Sequence, residues 1–277
     1  MKKTMNDTQK VLLELLKIFV DICDEHNLEY YVVAGTALGA VKYQGFIPWD
    51  DDIDVAMPRR DYEKFLQLAP KSLPQWCFLQ NYKTDPAFPH VFTKLRNSNT
   101  TFLETGTAKL PINHGIYIDI FQIDGYPEDE KEIRKLEWNK KILAWQQYCA
   151  LEGSKNWKVR LRRPFMRMLG YHKRTAKTMK RLDDLIQKYP PENASIWCCH
   201  GNRQGKREYA PRWHYGKGTQ AVFEGLTVRI PEQFDPYLTQ KYGNWRAELP
   251  KEQQKSHHTY LICDPDKPYT SYMAQGK

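Results

Sequence analysis

Asp50, Asp51, Asp52 and Asp54 fall within five positions of a 277-residue chain and run directly into the apolar stretch 53–57. On a strand alternate side chains share a face, so Asp52 and Asp54 are expected to point one way, with Ile53 and Val55 pointing the other. Two carboxylates held that close repel one another and are costly unless a cation lies between them. An all-oxygen set of this kind suits Mg²⁺ or Mn²⁺, not zinc. A third acid, Asp119, stands between Ile118 and Ile120 in the apolar run 115–123. If its strand neighbours the first, it completes a three-carboxylate site. Upstream, Gly35-Thr36 marks a turn from strand into helix, where a glycine lets backbone approach a phosphate and the following N–H groups and hydroxyl can bind it. An acidic cluster by itself reads as a solvated turn, and a Gly-Thr turn is common. Their order is what points to metal-dependent nucleotidyl or phosphoryl transfer. Asp52 and Asp54 would hold metal, Asp119 would orient or activate the attacking hydroxyl and, in a two-metal site, touch the second ion, and the turn would grip phosphate; one metal and two both stay open. Lys42, Lys94 and Arg96 lie close to these pieces and are candidates to balance phosphate charge, although each also reads as a surface cation.

The elements that must position these residues follow from hydrophobic period. Val11, Leu12, Leu15, Leu16, Phe19, Ile22 and Cys23 recur every three or four residues, which predicts a core-facing helix over 7–26 with Asn6 or Asp7 as N-cap. Residues 29–34 are β-prone, and 36–43 suit a short helix. Residues 53–57 make a strand stopped by Pro58, and 59–69 a helix. Strands are expected over 76–79, 90–96 and 115–123, a helix over 128–151, and another over 178–189. A strand pair should turn at Glu224-Gly225 within 221–230, and a short helix over 235–242 should close at Gly243. Strands and helices without regular βα alternation give an α+β fold. The expected division is a catalytic core over 1–125 and a helical, basic region over 126–277, with a single integrated unit as the alternative.

Composition excludes several classes. Hydrophobic residues make up 41% of the chain, enough for a core and too many for a disordered protein. No run approaches the roughly 20 apolar residues of a membrane-spanning helix. The basic N-terminus leads into an amphipathic helix broken by Glu14, Lys17 and Asp21 and lacks a small-residue cleavage site, so a cytoplasmic protein is expected. Six cysteines without a CxxC pair do not make a disulfide scaffold. Cys198-Cys199-His200, with His172 or His214, invites a zinc reading, but the spacing favours a structural role. His257 and His258 read as surface or acceptor-side residues. No Walker loop, G-x-G-x-x-G or G-x-S-x-G turn is present.

The net charge of +9 is local. Eleven Lys and Arg and no acid lie between residues 155 and 181, and removing those eleven from 42 leaves 31 basic against 33 acidic residues. Within that block Trp157, Leu161, Phe165, Met168 and Leu169 have near-helical spacing with Arg160, Arg162, Arg163 and Arg167 between them, and Pro164 would kink the element. The segment reads either as a solvated face or as a peripheral contact with an anionic membrane. No nucleic-acid recognition motif accompanies it, so no nucleic-acid partner is expected.

The stretch AGTALGAVKYQGFIPWDDDIDVAMPRRDY (34–62) closely resembles the defining motif of the LicD family of choline-phosphate transferases, and more distantly the fukutin-type phosphotransferases. KLRNSNTTF (94–102), GIYIDIFQIDGYP (115–127) and FEGLTVRIP (223–231) resemble further blocks of that family; residues 128–215 are the least recognisable. The resemblance implies a nucleotidyltransferase-like mixed sheet flanked by helices. It implies a CDP-activated alcohol, usually CDP-choline, as donor, a sugar hydroxyl of a surface glycan as acceptor, and CMP as product. A lipid-linked acceptor such as a teichoic acid or lipopolysaccharide precursor is compatible with it. It carries the metal pair onto Asp52 and Asp54, the third carboxylate onto Asp119 and the phosphate turn onto Gly35-Thr36. Choline's trimethylammonium group would prefer an aromatic box, for which Trp49 is the candidate. The rivals are CDP-ethanolamine or CDP-ribitol as donor, a nucleotidyltransferase that releases pyrophosphate from an NTP, and a non-catalytic basic protein that binds membrane or RNA.

Overall fold

In a computed structural model, describing residues 4–150, 157–201, 208–256 and 258–273, the apolar period near the N-terminus folds as helix α1 (Asp7–Glu25). Asn6 is its N-cap: its side chain accepts from the Gln9 N–H while the Gln9 side chain accepts from the Asn6 N–H, a reciprocal capping box. The chain then forms β1 (Tyr31–Val32), α2 (Ala34–Tyr43), β2 (Asp54–Pro58) and α3 (Arg59–Ser72). β3 (Cys77–Gln80), β4 (Thr93–Asn97), β5 (Thr101–Glu104) and the long β6 (Ile116–Gly125) follow. The main sheet runs β1-β2-β6-β4-β3. Its β2–β6 pair is parallel, and the β1–β2, β4–β6 and β3–β4 pairs are antiparallel. The fold is therefore the expected α+β mixed sheet flanked by helices.

The second half is less purely helical than expected. It supplies α4 (Glu130–Ala150), α5 (Trp157–Met168) and α6 (Thr175–Ile186). It also supplies β7 (Ile196–Cys198) and β8 (Tyr209–Pro211), which extend the sheet from the end of β6. After α7 (Arg212–Tyr215), β9 (Thr219–Phe223) and β10 (Leu226–Ile230) form the anticipated hairpin, with Glu224 and Gly225 both at positive φ in its turn. α8 (Phe234–Tyr242) ends at Gly243, and β11 (Tyr260–Asp264) returns to pair with β5 before α9 (Thr270–Met273). β5, β7, β8 and β11 escape period-based reading because strands of three to five residues carry too few alternations to register.

Alternation sorts the sheet's two faces. Val55, Leu95, Ile118 and Ile120 pack with Leu12, Leu15, Leu16 and Phe19 of α1 and Phe65 of α3. Ala56, Phe121 and Ile123 join a second cluster with Trp197, Tyr215, Tyr237 and Leu238. At the end of β6 the buried Asp124 takes a two-pronged pair from Arg59, Nε at 2.8 Å and Nη2 at 2.6 Å. Arg59 also donates to Asp183 of α6 at 2.9 Å, and the Tyr82 hydroxyl donates to the same carboxylate. This network ties β2, α3, β6 and α6 into one unit.

Removing one member of a buried ion pair leaves its partner's charge uncompensated. Asp124→Ala is expected to lower unfolding stability by about 3–5 kcal/mol. Lys17→Ala, which breaks an exposed pair with Asp21, should cost less than about 1 kcal/mol. Urea denaturation of the two variants beside the parent protein measures both.

Candidate active site

Parallel pairing of β2 with β6 sets Asp54 directly opposite Asp119, and antiparallel pairing of β4 with β6 sets Lys94 on the other side of Asp119. Three strands thus present Asp54, Asp119 and Lys94 in one row. Lys94 is 3% exposed, and its Nζ lies 3.1 Å from Asp119 Oδ1 and 3.7 Å from Glu104 Oε2. The Lys94–Asp119 contact is close but poorly angled, so Asp119 Oδ1 remains a buried acceptor with no hydrogen-bond donor. One step along the same face, the Tyr117 ring lies beneath the Lys94 ammonium, whose Nζ is 3.1 Å from the ring centroid. The Tyr117 hydroxyl donates to Glu104. Burial would raise the Glu104 carboxyl, but Lys94 and Arg96 override it and hold it near 2.

Asp52 lies just before β2, not on it, yet it borders the same cleft as Asp54. The loop carrying Asp50 to Asp52 is pinned from several sides. Gln9 of α1 donates to the Asp50 carbonyl at 3.0 Å, and Glu224 of the β9–β10 turn accepts from the Phe46 N–H at 3.2 Å. Gly45 allows this approach, because a Cβ there would stand 2.0 Å from Glu224 Oε1. From the C-terminal side, Ser256 Oγ donates to Asp51 Oδ2 at 2.6 Å. His258 Nδ1 lies 3.0 Å from Asp51 Oδ1, and its Nε2 is 3.9 Å from Asp52 Oδ2. Burial would push the His258 imidazole down, but Asp51 and Asp52 override that and carry it up to about 9, so the ring is a cation at neutral pH. Asp51 is held below the usual carboxylate range because the His258 and Ser256 hydrogen bonds outweigh its burial.

The remaining acids feel the opposite balance. Burial, then the neighbouring Asp52, pushes the Asp50 carboxyl up to about 9. Asp54 is also raised, first by burial and then by Asp52 and Asp119. Asp119 is raised by burial against the pull of Lys94. The cleft above them, about 680 Å³, is lined by Asp50, Asp52, Asp54, His258, the first turn of α2 and the aromatic residues Tyr43, Trp49, Tyr242 and Trp245. Among the described residues, no three His, Cys, Asp or Glu side chains are grouped so that together they could hold a metal ion.

Residues 27–147, which span this carboxylate row, match the LicD/FKTN/FKRP nucleotidyltransferase domain family. The chain is also 27% identical, over 93% of its own length and 97% of the relative's, to the lipopolysaccharide cholinephosphotransferase LicD of Haemophilus influenzae. A shorter likeness, 37% identical over 42% of this chain and 40% of the other, links it to an uncharacterised protein of Rickettsia prowazekii. A third, 38% identical over 22% of this chain and 19% of the other, is to an uncharacterised protein of Rickettsia typhi.

Around this cleft, the sequence-predicted residues separate by position. Asp52, Asp54, Gly35, Lys42 and Trp49 border the cleft, and Asp119 lies beside Asp54 in the row beneath. Thr36 is buried, and its hydroxyl accepts the Asp54 N–H at 2.8 Å; this ties the start of α2 to the start of β2. Lys42 is not a free surface cation: its Nζ donates to the Arg246 and Ala247 carbonyls and pairs with Glu248. Arg96 is fully buried, bound to Gln80 and the Gly115 carbonyl and stacked on Tyr117, so it stands behind Lys94 and away from the cleft. The surface reading of Lys94 and Arg96 fails because both are cross-strand neighbours of β6 residues.

His258 sits in the carboxylate cluster instead of on an open acceptor-side surface, and His257 lies outside the described residues. Its importance was hidden by a sequence separation of 207 residues from Asp51. Cys198, Cys199 and His200 make no metal cluster among the described residues. Cys198 Sγ contacts His200 Nδ1, whose other nitrogen meets the Gly125 carbonyl, and burial pushes the imidazole down to about 3.

Asp50 and His258 give the metal-free protein a signed pH dependence. The folded Asp50 keeps its proton up to about 9, far above an unfolded carboxyl near 4, so its contribution is full at low pH and fades as pH rises through that interval. The folded His258 keeps its proton to about 9 against roughly 6.5 unfolded, and its contribution is likewise lost on the way up. The melting temperature in EDTA should therefore fall between about pH 6.5 and 9. Asp50→Asn should flatten that slope, and an unchanged slope would contradict the assignment.

Proposed function

We propose that this protein transfers phosphocholine from CDP-choline to a sugar hydroxyl of a surface glycan precursor, of the lipopolysaccharide or teichoic acid type, and releases CMP. The observation that carries this reading is one cleft in which clustered carboxylates adjoin four aromatic side chains. The first suits a diphosphate with its counter-ion and the second a quaternary ammonium group. The near full-length likeness to a lipopolysaccharide cholinephosphotransferase supports the same substrate class.

The donor set fits Mg²⁺ held by Asp52, Asp54 and Asp119. All ligands would be carboxylate oxygens, Asp119 Oδ1 is a buried acceptor without a donor, and burial with mutual repulsion leaves Asp54 short of positive charge. A preformed group of three ligands is not required, since Mg²⁺ is commonly bound by one or two carboxylates together with substrate phosphates. Bound there, it would neutralise charge on the diphosphate and the departing CMP. The chain's own groups do the rest. The first turn of α2 turns its N-terminal end toward the donor phosphates. The His258 cation adds positive charge across the cleft, and Trp49, Tyr43 and Tyr242 offer ring surface to the head group. The acceptor hydroxyl oxygen forms a bond to the phosphorus that bears choline. The bond from that phosphorus to the bridging oxygen breaks, and CMP leaves with the electron pair. Asp119, raised by burial and steadied by Lys94, takes the hydroxyl proton.

The direct test is CMP release from CDP-choline. Metal-dependent release that stops in EDTA is expected, with Asp54→Asn and Asp119→Asn each slower by about 10²-fold or more. Pyrophosphate from an NTP, with CDP-choline inert, would overturn the reading in favour of nucleotidyl transfer. CMP from CDP-ethanolamine or CDP-ribitol alone would change the head group. For the aromatic wall, Trp49→Ala should raise KM for CDP-choline by about tenfold with little change in affinity for CDP, which lacks the ammonium group.

A further inference from the structure

Helix α5 has two unlike faces. Met166 points inward and is buried, with Arg163 half-buried beside it. On the opposite side Trp157, Leu161, Phe165 and Met168 are 67%, 72%, 57% and 75% exposed. At 3.6 residues per turn these four fall within about 80° of arc. Lys158 and Arg162 border that arc on one side and Arg160 and Arg167 on the other, all in exposed positions. A solvated helix face would carry its cations at the centre of the exposed arc. Here the centre is large and apolar, and the cations flank it.

From this arrangement we infer that α5 is a membrane-surface anchor, which lays its apolar arc into the headgroup boundary of an anionic bilayer while its flanking cations meet lipid phosphates. The choice of occupant rests on charge and on the shape of the patch. Ten Lys and Arg and no acid occupy residues 157–181, so the surface is complementary to anionic lipid. Long cationic side chains beside a buried apolar strip can reach up to phosphates while their stems cover hydrocarbon. A nucleic acid would instead need the cations at the centre, with no reason for four large apolar side chains to stand in water. Among the described residues no helix is long and apolar enough to cross a membrane, so the contact is interfacial. The anchor would hold the cleft at the surface where a lipid-linked acceptor is displayed. It stands independently of which donor the cleft accepts.

The test is flotation of the full-length protein with vesicles of phosphatidylcholine containing about one-third phosphatidylglycerol, without donor or acceptor. Parent protein should float with these vesicles and stay behind with pure phosphatidylcholine. Leu161→Glu with Phe165→Glu should weaken binding by at least about tenfold, and Arg160→Gln and Arg167→Gln by about fivefold each. Both sets are solvent-facing, and unchanged circular dichroism melts would show that folding is intact. Brominated lipid should quench tryptophan fluorescence in the parent and quench Trp157→Phe less. Equal binding to neutral vesicles, full binding by the Leu161/Phe165 variant, or tight binding to an RNA or DNA duplex with vesicles ignored would each overturn the anchor. Because no turnover is read, failure here leaves the CMP assay to judge the transfer reaction separately.

Discussion

Two carboxylates side by side in the interior of a sheet are an unfavourable arrangement, and the parallel pairing of Asp54 with Asp119 makes that arrangement unavoidable here. The adjacent residues Ile118 and Ile120 anchor β6 in the α1 face of the core, so the strand cannot slip by one residue without placing both isoleucines on the polar face and Asp119 among leucines. The same apolar burial that stabilises β6 therefore fixes the third acid. Lys94 offsets part of the charge from the other neighbouring strand, while burial above all, and then neighbouring acids, keeps the Asp54 and Asp119 carboxyls raised.

The rest of the fold limits how far that unfavourable row can relax. The Asp54 N–H bond to Thr36, the Gln9 bond to the Asp50 carbonyl, the Glu224 contact at Gly45 and the return of Ser256 and His258 all converge on residues 45–54. Four separate chain segments thus hold one acidic loop in place. Each tie is modest, on the order of 1 kcal/mol for a hydrogen bond, but together they oppose the outward splay that repulsion favours. Preorganisation of this kind removes the reorganisation cost at the moment charge develops on a substrate.

Much of this was legible in the sequence where local chemistry decides it. Asn6 as cap, the α1 period, Pro58 at the end of β2, the Glu224-Gly225 turn and Gly243 after α8 all follow from rules acting within a few residues. The acids of the site were legible too, since an aspartate between isoleucines needs a reason to be there. Long-range pairing was not. Lys94 and Arg96 read equally as phosphate-balancing residues and as surface cations, because nothing local says that β4 is covered on both sides. Lys42 read as either a surface cation or a phosphate ligand, because its carbonyl partners, Arg246 and Ala247, lie about two hundred residues downstream. His258 read as peripheral for the same reason.

The C-terminal segment changes how the two halves of the chain should be regarded. β11 pairs with β5, and the residues just before it deliver His258 to Asp51 and Asp52, so the first half supplies Lys94 beside Asp119 but not the cation that meets Asp51 and Asp52. Part of the aromatic wall comes from the same half as His258, through Tyr242 at the end of α8 and Trp245 just after it. The acidic floor of the cleft thus belongs to the sheet, while His258 and much of the aromatic lining arrive from sequence beyond the matched residues 27–147. A substitution in the later segment can therefore alter what the cleft accepts without touching the acids beneath it, and the carboxylate row can stay constant while recognition drifts.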